Sequence, residues 1–330
     1  MTRRRIFSAL ASAAAAASLF AASAVNATDY PVKPITVVVG YPAGGPTDVL
    51  MRAIGPRLTS DWKQPVIIDN RPGANEAIAA QQVSKAPADG HTLLLSTEVP
   101  LTQNQFLFRK LNYNPEKDFA PITRLVSSPL VLVVNPSVPA NSIEEFVALA
   151  RSRAAARPVS YASAGNGGVL HLPMAMLAKQ NGLNMIHVPY KGVAPLLTDL
   201  VSGQVEAAWV AVAGAAPYVH DGRLKALVVD APMRVKALPQ VPVFSETKVA
   251  PVQADFNFVL QAPAGTPVVV VEKLADAIRK VLNDPEFQGK YLEPFGFRVV
   301  GSTPAELADF LAKDRPRQAE RIKTSGASMD

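Results

Sequence analysis

Short runs of branched and aromatic residues alternate along the chain with segments whose apolar residues recur every three or four positions. The short runs predict strands and the spaced segments predict helices. Nine strands are predicted: Ile35–Val39, Val66–Ile68, Thr92–Ser96, Leu130–Val134, Val159–Tyr161, Met185–His187, Val205–Val210, Lys225–Val229 and Phe256–Gln261. The clearest helices are predicted after Gly45, after Ser142, over Val268–Leu282, and from Thr303 to about Ile322.

Continuous apolar strands separated by helices predict an α/β fold with mostly parallel sheets. The 29 prolines lie largely at element boundaries, which fits many short strand–helix turns. A mature chain of about 300 residues exceeds what one hydrophobic core usually supports, so two lobes are predicted. No linker separates them, as expected where strands pass from one lobe to the other.

The N-terminal residues 1–27 have the composition of an export signal. Arg3, Arg4 and Arg5 precede an alanine-rich apolar stretch that contains no acidic residue. The segment fits either a Sec signal or a twin-arginine signal, with cleavage after Ala24 or Ala27. We expect a mature protein that is exported and soluble, because no later segment reaches the roughly 18 apolar residues of a membrane-spanning helix.

Charge and composition exclude several classes of protein. The net charge is +6, and it falls to +3 once the three arginines of the signal are removed. So small a charge, with acids and bases interspersed, does not indicate nucleic-acid binding. The chain has no cysteine, which excludes disulfides, cysteine-ligated metals and thiol nucleophiles. No metal or cofactor motif is present, and none is expected to bind.

Two glycine-rich turns connect a predicted strand to a predicted helix. Loop 1, residues 41–48, reads Tyr-Pro-Ala-Gly-Gly-Pro-Thr-Asp, and loop 2, residues 163–168, reads Ser-Ala-Gly-Asn-Gly-Gly. A helix N-terminus presents free N–H groups and attracts a carboxylate or phosphate without a cationic side chain. Loop 2 lacks the spacing of a dinucleotide fingerprint and of a P-loop. Each loop alone is also compatible with a tight turn and a helix cap. Together they predict two helix N-termini directed at one anion.

Catalytic motifs are missing from the sequence. It contains neither G-x-S-x-G nor H-E-x-x-H, and its four histidines lack metal-ligand spacing. His171, close to loop 2, is the best functional candidate among them, whereas His187 is expected to be a satisfied core residue. Tyr190 is equally compatible with ligand contact and with packing, and Trp209 is expected in the core.

Several motifs in register resemble the solute-binding proteins of the tripartite tricarboxylate transporter system, the Bug family. They are 30–35 (YPVKPI), 42–48 (PAGGPTD), 69–74 (DNRPGA), 88–93 (ADGHTL), 117–122 (KDFAPI), 161–167 with 171–172 (HL), 188–192 (VPYKG) and 262–267 (APAGTP). The resemblance covers nearly the whole mature chain.

The resemblance implies a two-lobed Venus-flytrap fold of type II character, with the ligand cleft between the lobes. It implies residues 28–126 plus 258–330 in lobe 1 and residues 127–257 in lobe 2. It also implies that the two loops hold a ligand carboxylate, largely through backbone N–H groups and water. The candidate ligand-binding residues are Tyr41, Ala43, Gly44, Gly45, Thr47, Asp48, Ser96, Ser163, Gly165, Asn166, Gly167, His171 and Tyr190.

The sequence departs from the family at Asn75 and Glu76, where glycines are usual, and at the apolar strand 206–212. These departures bear on the identity of the ligand. The function expected is capture of a small organic carboxylate, whether a di- or tricarboxylate, an aromatic acid or an amino acid, for delivery to a membrane permease by a monomeric protein. A sensor for a signalling partner and, less favoured, an exported hydrolase remain alternatives.

Overall fold

The structure, a computed structural model, describes residues 30–153 and 156–329. The predicted export signal, residues 1–27, lies outside the described residues. The strands are β1 Ile35–Val39, β2 Val66–Asn70, β3 Thr92–Thr97, β4 Phe119–Ser128, β5 Leu130–Val134, β6 Val159–Ser163, β7 Met185–Pro189, β8 Ala207–Ala211, β9 Lys225–Val229, β10 Phe256–Pro263 and β11 Arg298–Val299.

The helices are α1 Pro46–Trp62, α2 Ala77–Ser84, α3 Val99–Thr102, α4 Asn104–Leu107, α5 Ile143–Arg153, α6 Leu172–Asn181, α7 Val193–Ser202, α8 Val212–His220, α9 Val268–Leu282, α10 Pro285–Phe287 and α11 Pro304–Ser325. The predicted start of the last helix agrees with the structure: Thr303 and Glu306 form a reciprocal capping box at the start of α11. No helix among the described residues combines the length and apolarity needed to cross a membrane.

Two sheets form the centres of two lobes. The first lobe is built on a six-stranded sheet with the order β11-β4-β10-β3-β1-β2, and the second on a five-stranded sheet with the order β7-β6-β8-β5-β9. The predicted α/β two-lobed fold class is therefore confirmed. The residue numbers at which the lobes divide stay a prediction.

The expectation of mostly parallel sheets is wrong. In the first sheet β1 is parallel to β2 and β3, while β10 is antiparallel to β3 and β4. In the second sheet β5 runs antiparallel to β8 and β9. The antiparallel strands β4, β5 and β10 flank the two passages of the chain between the sheets. A strand that connects directly to the other sheet has no helix to return the chain to its starting edge. It therefore runs antiparallel to its neighbours, whereas strands joined through a helix run parallel.

Strand β4 is absent from the predicted set although it is the longest strand. Its sequence, FAPITRLVSS, contains a proline, an arginine and three hydroxyl residues, which break the apolar run. Pairing with β10 on one side and β11 on the other supplies the context that local sequence lacks.

The cores of both lobes consist of strand residues packed against one face of each helix. In α1, Leu50, Met51, Ile54 and Leu58 are buried against the first sheet. Trp209 is fully buried in the second sheet, beside Phe244, so its predicted core position is confirmed. Burial of a leucine, isoleucine or methionine side chain stabilises the fold by about 1.5–3 kcal/mol. The strands that end in loops 1 and 2 are thus held by rigid, packed neighbours.

Candidate functional site

The topology brings loop 1 and loop 2 to facing ends of the two sheets. Phe256 on β10 pairs with Ser128, while Phe258 pairs with Thr97 at the C-terminal end of β3, so the chain leaves the first sheet at the end where β1 and β3 finish. It enters the second sheet at Leu130, opposite Ala211 at the end of β8. Because β6 is parallel to β8, loop 2 follows the same end. Both loops therefore border the space between the lobes.

Loop 1 is braced by the carboxylate of Asp48 in the first turn of α1. One oxygen of Asp48 accepts hydrogen bonds from the Gly44 N–H at 2.9 Å and from Arg52 Nε at 2.8 Å. Burial alone would raise the pKa of Asp48, but the bonds from Arg52 and Gly44 outweigh it and lower the pKa. Gly44 has a φ of +80°, a left-handed conformation that glycine adopts without a steric penalty. Asp48 is thus a structural anchor of the loop.

The N–H groups of Gly44 and Gly45 are engaged within loop 1, and binding of a carboxylate by the backbone of this loop stays a prediction. The Gly44 N–H is taken by Asp48, and the Gly45 N–H donates to Pro42 O at 3.2 Å. No described residue accepts a hydrogen bond from the N–H groups of Ala43 and Thr47. The N–H groups of Tyr41 and Asp48 likewise have no acceptor among the described residues, so loop 1 holds four such donors. Beside Gly44, a Cβ atom would find no other heavy atom within 4 Å, so the loop borders open space.

Loop 2 is braced by a serine and two histidines. Ser163 Oγ donates to Gly165 O at 2.8 Å and lies 2.7 Å from His187 Nε2. The Gly167 N–H donates to His171 Nδ1 at 3.0 Å. The N–H groups of Asn166 and Gly168 meet no acceptor among the described residues. Loop 2 therefore offers backbone donors on a frame that side chains hold in place.

The two histidine rings stack behind loop 2. The rings of His171 and His187 lie 3.9 Å apart at an angle of 10°, and the ring of Tyr161 lies nearly parallel to both, 5.0 Å from His187 and 6.1 Å from His171. Desolvation and the neighbouring His187 lower the pKa of His171 to about 3, and desolvation lowers the pKa of His187. Both rings are therefore neutral near pH 7. Loop 2 therefore receives no charge from these two side chains.

The other predicted site residues have varied surroundings. Ser96 is fully buried in β3 and its Oγ has no partner among the described residues. Tyr41 is half-buried. Burial raises the pKa of its hydroxyl group well above the usual value, and the nearby charges of Glu76 and Glu98 add a smaller rise. Tyr190 donates its hydroxyl hydrogen to Asp199 at 2.7 Å, which favours packing over ligand contact. Asn166 donates to the carbonyl of Ser328, near the C-terminus.

A hydrolytic site is not supported by the geometry, although Ser163 and His187 form a hydrogen-bonded pair. Ser163 is fully buried, so its oxygen is not exposed to a substrate. Within the described residues, no carboxylate bonds to the second ring nitrogen of His187, whereas the base of a catalytic triad requires one. The same part of the chain contains no cluster of three His, Cys, Asp or Glu side chains suited to a metal ion.

A separate cavity of 690 Å³ lies at the other edge of the interlobe space, between β9 and β11. Apolar side chains such as Met233, Phe244 and Phe297 line it together with Asp230 and Asp255. Burial, opposed in part by hydrogen bonds, raises the pKa of Asp230, and the charge of Asp255 adds to the rise. The lining also contains Arg234, Lys236 and Arg298, so its charges are mixed.

Sequence reasoning missed three features that support the loops. Leu107 lies close to Gly167, so that a Cβ added there would lie 2.4 Å from Leu107 Cδ2. The C-terminal tail bonds both lobes, because Met329 N donates to Leu107 O at 3.1 Å and Ser328 O accepts from Asn166 at 2.7 Å. Glu76 is buried beneath loop 1. Only Glu76 had a signal in the sequence, as an acidic residue at a position where the family usually has glycine.

The histidine pair predicts a loss of stability in acid. A pKa lowered from 6.5 in the folded state means that stability is full above pH 6.5 and is lost as the pH falls toward about 3. The loss for His171 is expected to reach up to about 4 kcal/mol. Thermal unfolding between pH 7 and pH 4 measures it. The stability of the His171→Phe variant should depend less on pH than that of the wild type. The control His220→Phe, at an exposed histidine, should depend on pH as the wild type does. Equal pH dependence of stability in all three proteins would contradict the role given to His171.

The chain resembles characterised proteins over nearly its whole length. Residues 50–327 match the tripartite tricarboxylate transporter family receptor. BugT of Bordetella pertussis is 30% identical over 309 residues, which cover 93% of this chain and 94% of BugT.

Solved structures agree with this match. An R. palustris protein solved with adipate has a TM-score of 0.82 and 30% identity, and the match covers 91% of this chain and 99% of that one. MatC of Rhodopseudomonas palustris with bound malate has a TM-score of 0.77 and 31% identity, with coverage of 89% and 100%. The chain therefore belongs to the tripartite tricarboxylate transporter receptor family, whose members are periplasmic solute-binding proteins such as BugD.

Proposed function

We propose that this protein binds a small organic carboxylate between loop 1 and loop 2 and delivers it to the permease of a tripartite tricarboxylate transporter. The observation that carries the proposal is the pair of facing loops, whose N–H groups without an acceptor include those of Ala43, Thr47, Asn166 and Gly168. Such donors favour an anion without a cationic side chain. A similar protein solved with adipate and another with bound malate support a carboxylate with two acid groups.

The binding energy expected from these donors is sufficient for a micromolar ligand. A hydrogen bond to a charged group contributes about 1.5–3 kcal/mol. Four such bonds, reduced by the entropy of closing the lobes, reach the roughly −8 kcal/mol of a micromolar Kd. The cleft closes on the ligand when the two lobes rotate toward each other about the strands that connect them. Lobe 1 is residues 28–126 plus 258–330, and lobe 2 is residues 127–257.

The same proposal assigns residues 1–27 as the export signal and a periplasmic location to the mature monomer. A sensor that signals to a partner protein would bind its ligand through the same chemistry, so ligand binding does not distinguish the two roles. Membership of a transporter receptor family favours the permease as the partner. N-terminal sequencing of the protein exported from cells expressing the full chain tests this part. A start at residue 25 or 28 is expected, and an unprocessed Met1 would contradict it.

Binding is tested by the thermal stability of the exported protein after unfolding and refolding to remove endogenous ligand. Adipate, malate, citrate, benzoate and aspartate are added at 1 mM, with the dimethyl ester of adipate as the matched control. A micromolar ligand at this concentration stabilises the fold by about 4 kcal/mol. We expect stabilisation by at least one dicarboxylate and none by the diester. No shift with any of the five acids, from a protein that unfolds cooperatively, would overturn the proposal.

A further inference from the structure

The turn between β2 and α2 has an unusual backbone. Ala74, Asn75 and Glu76 have φ values of +48°, +47° and +66°, three consecutive non-glycine residues in the left-handed region. Each such residue costs roughly 1–2 kcal/mol relative to right-handed backbone. Because β2 is parallel to β1, this turn lies at the end of the sheet that borders the interlobe space. Strain of this kind is maintained where surrounding contacts over-determine it, and it concentrates at functional sites.

The strained turn places the carboxyl group of Glu76 beneath loop 1. Glu76 is only 3% exposed. Its Oε2 accepts a hydrogen bond from the Thr97 N–H at 2.8 Å, and its Oε1 accepts from the Thr97 hydroxyl. A Cβ added to Gly40, the residue before loop 1, would lie 2.9 Å from Glu76 Oε2. The carboxyl group is therefore wedged between the ends of β1 and β3.

The groups around Glu76 leave its charge uncompensated. The titratable groups that interact with it are Tyr41 in loop 1 and Tyr113, and Glu98 adds a second buried carboxyl group near Tyr41. No cationic side chain is among the groups that shift the pKa of Glu76. Burial raises the pKa of Glu76 to about 7, although the two hydrogen bonds from Thr97 lower it in part. The carboxyl group therefore changes its charge near neutral pH.

We propose that Glu76 is a positioning residue that selects ligands by charge: an anion binds at loop 1 together with a proton on Glu76. This inference rests on the proposed function. An ionised Glu76 repels a carboxylate held at the Ala43 and Thr47 N–H groups, whereas a protonated Glu76 does not. At an effective dielectric constant of about 20, Coulomb repulsion between two like charges across the base of loop 1 is expected to weaken binding by on the order of tenfold. Ligands of lower negative charge are correspondingly favoured above neutral pH.

Calorimetry with adipate and its monomethyl ester, at pH 6 and pH 8.5, tests the proposal. For the wild-type protein, the affinity for adipate is expected to fall about tenfold between these pH values, with a smaller fall for the monoester. Titrations near pH 7 in phosphate and in Tris, whose ionisation enthalpies differ, should show uptake of about half a proton, the amount that a tenfold linkage produces near the pKa. A residue with a merely structural role would change neither the pH dependence nor the proton uptake.

The Glu76→Gln variant keeps the shape of the side chain and both bonds to Thr97, because an amide accepts from an N–H and donates to a hydroxyl. We expect it to bind adipate with equal affinity at both pH values and without proton uptake. Glu206→Gln is the control, since Glu206 pairs with Arg153 at the start of β8, the end of the second sheet away from the cleft. It should behave as the wild type does.

The outcomes separate this inference from the proposed function. If wild type and Glu76→Gln show the same pH dependence and the same proton uptake, the inference is overturned while carboxylate binding stands. If the wild type binds neither adipate nor malate at either pH, the proposed function fails in its dicarboxylate form and the inference fails with it. Should Glu76→Gln not fold, Glu76→Gly relieves the left-handed strain and is expected to give the same pH-independent binding.

Discussion

Replacement of Gly167 by alanine is expected to weaken ligand binding more than tenfold. The new Cβ atom would lie 2.4 Å from Leu107 Cδ2, so either the buried Leu107 side chain changes its rotamer against its packed neighbours or loop 2 moves away from helix α4. The φ of +70° at Gly167 adds the cost of left-handed backbone, about 1–2 kcal/mol. Because Leu107 belongs to the first lobe and Gly167 to the second, the movement separates the lobes where loop 2 faces the cleft. Calorimetry with the acid that stabilises the wild type measures the loss.

The Leu107→Ala exchange distinguishes a steric effect from a strained backbone. In the double variant the clash is gone, so affinity is expected to recover to the level of Leu107→Ala alone. Stability will not recover, because Leu107 is packed with Leu172 and Ile322 and its truncation costs about 2–5 kcal/mol. Unaltered affinity in Gly167→Ala would show that the contact between Leu107 and loop 2 is not part of the ligand-bound state.

The strands, helices and loops follow well from sequence because each has a local physical cause. The apolar run of β1 ends at Gly40, and loop 1 then leads into α1 with Pro46 in its first turn. All nine predicted strands are present, three with the predicted bounds and six with ends shifted by one or two residues, as where Val205–Val210 becomes Ala207–Ala211. Local patterns of this kind predict the positions of the two loops as well.

The contacts that hold the loops are not local and therefore escape sequence reasoning. Ser163 and His187 lie 24 residues apart and meet only because β6 and β7 are adjacent parallel strands. Leu107 reaches Gly167 from the other lobe. The use of the Gly44 N–H by Asp48 is local, but it depends on the conformation of the loop, which the order of residues alone does not specify. Sequence therefore predicts which loops form the site, and the structure identifies which donors remain available.

Removal of the Asp48 carboxylate is expected to have the second large effect, because it frees the Gly44 N–H and leaves loop 1 without its anchor. In Asp48→Ala the lost hydrogen bonds from Gly44 and Arg52 should lower the free energy of unfolding by about 1–3 kcal/mol. The unbraced loop must be ordered on binding, so affinity for the carboxylate falls at least tenfold. Chemical unfolding and calorimetry on the same protein preparation measure the two losses.

The Arg52→Gln control separates the brace from the ion pair. The Arg52 side chain is 53% exposed, and an ion pair of that kind contributes no more than about 1 kcal/mol, so this variant should bind nearly as the wild type does. The pKa of Asp48 is lowered from 3.8, so its contribution to stability is present above that pH and is lost as the pH falls below it. Asp48→Ala should therefore lose less stability than the wild type on acidification below pH 4. If Arg52→Gln weakened binding as much as Asp48→Ala, the arginine charge and not the braced N–H groups would hold the ligand, and loop 1 would be a cationic site.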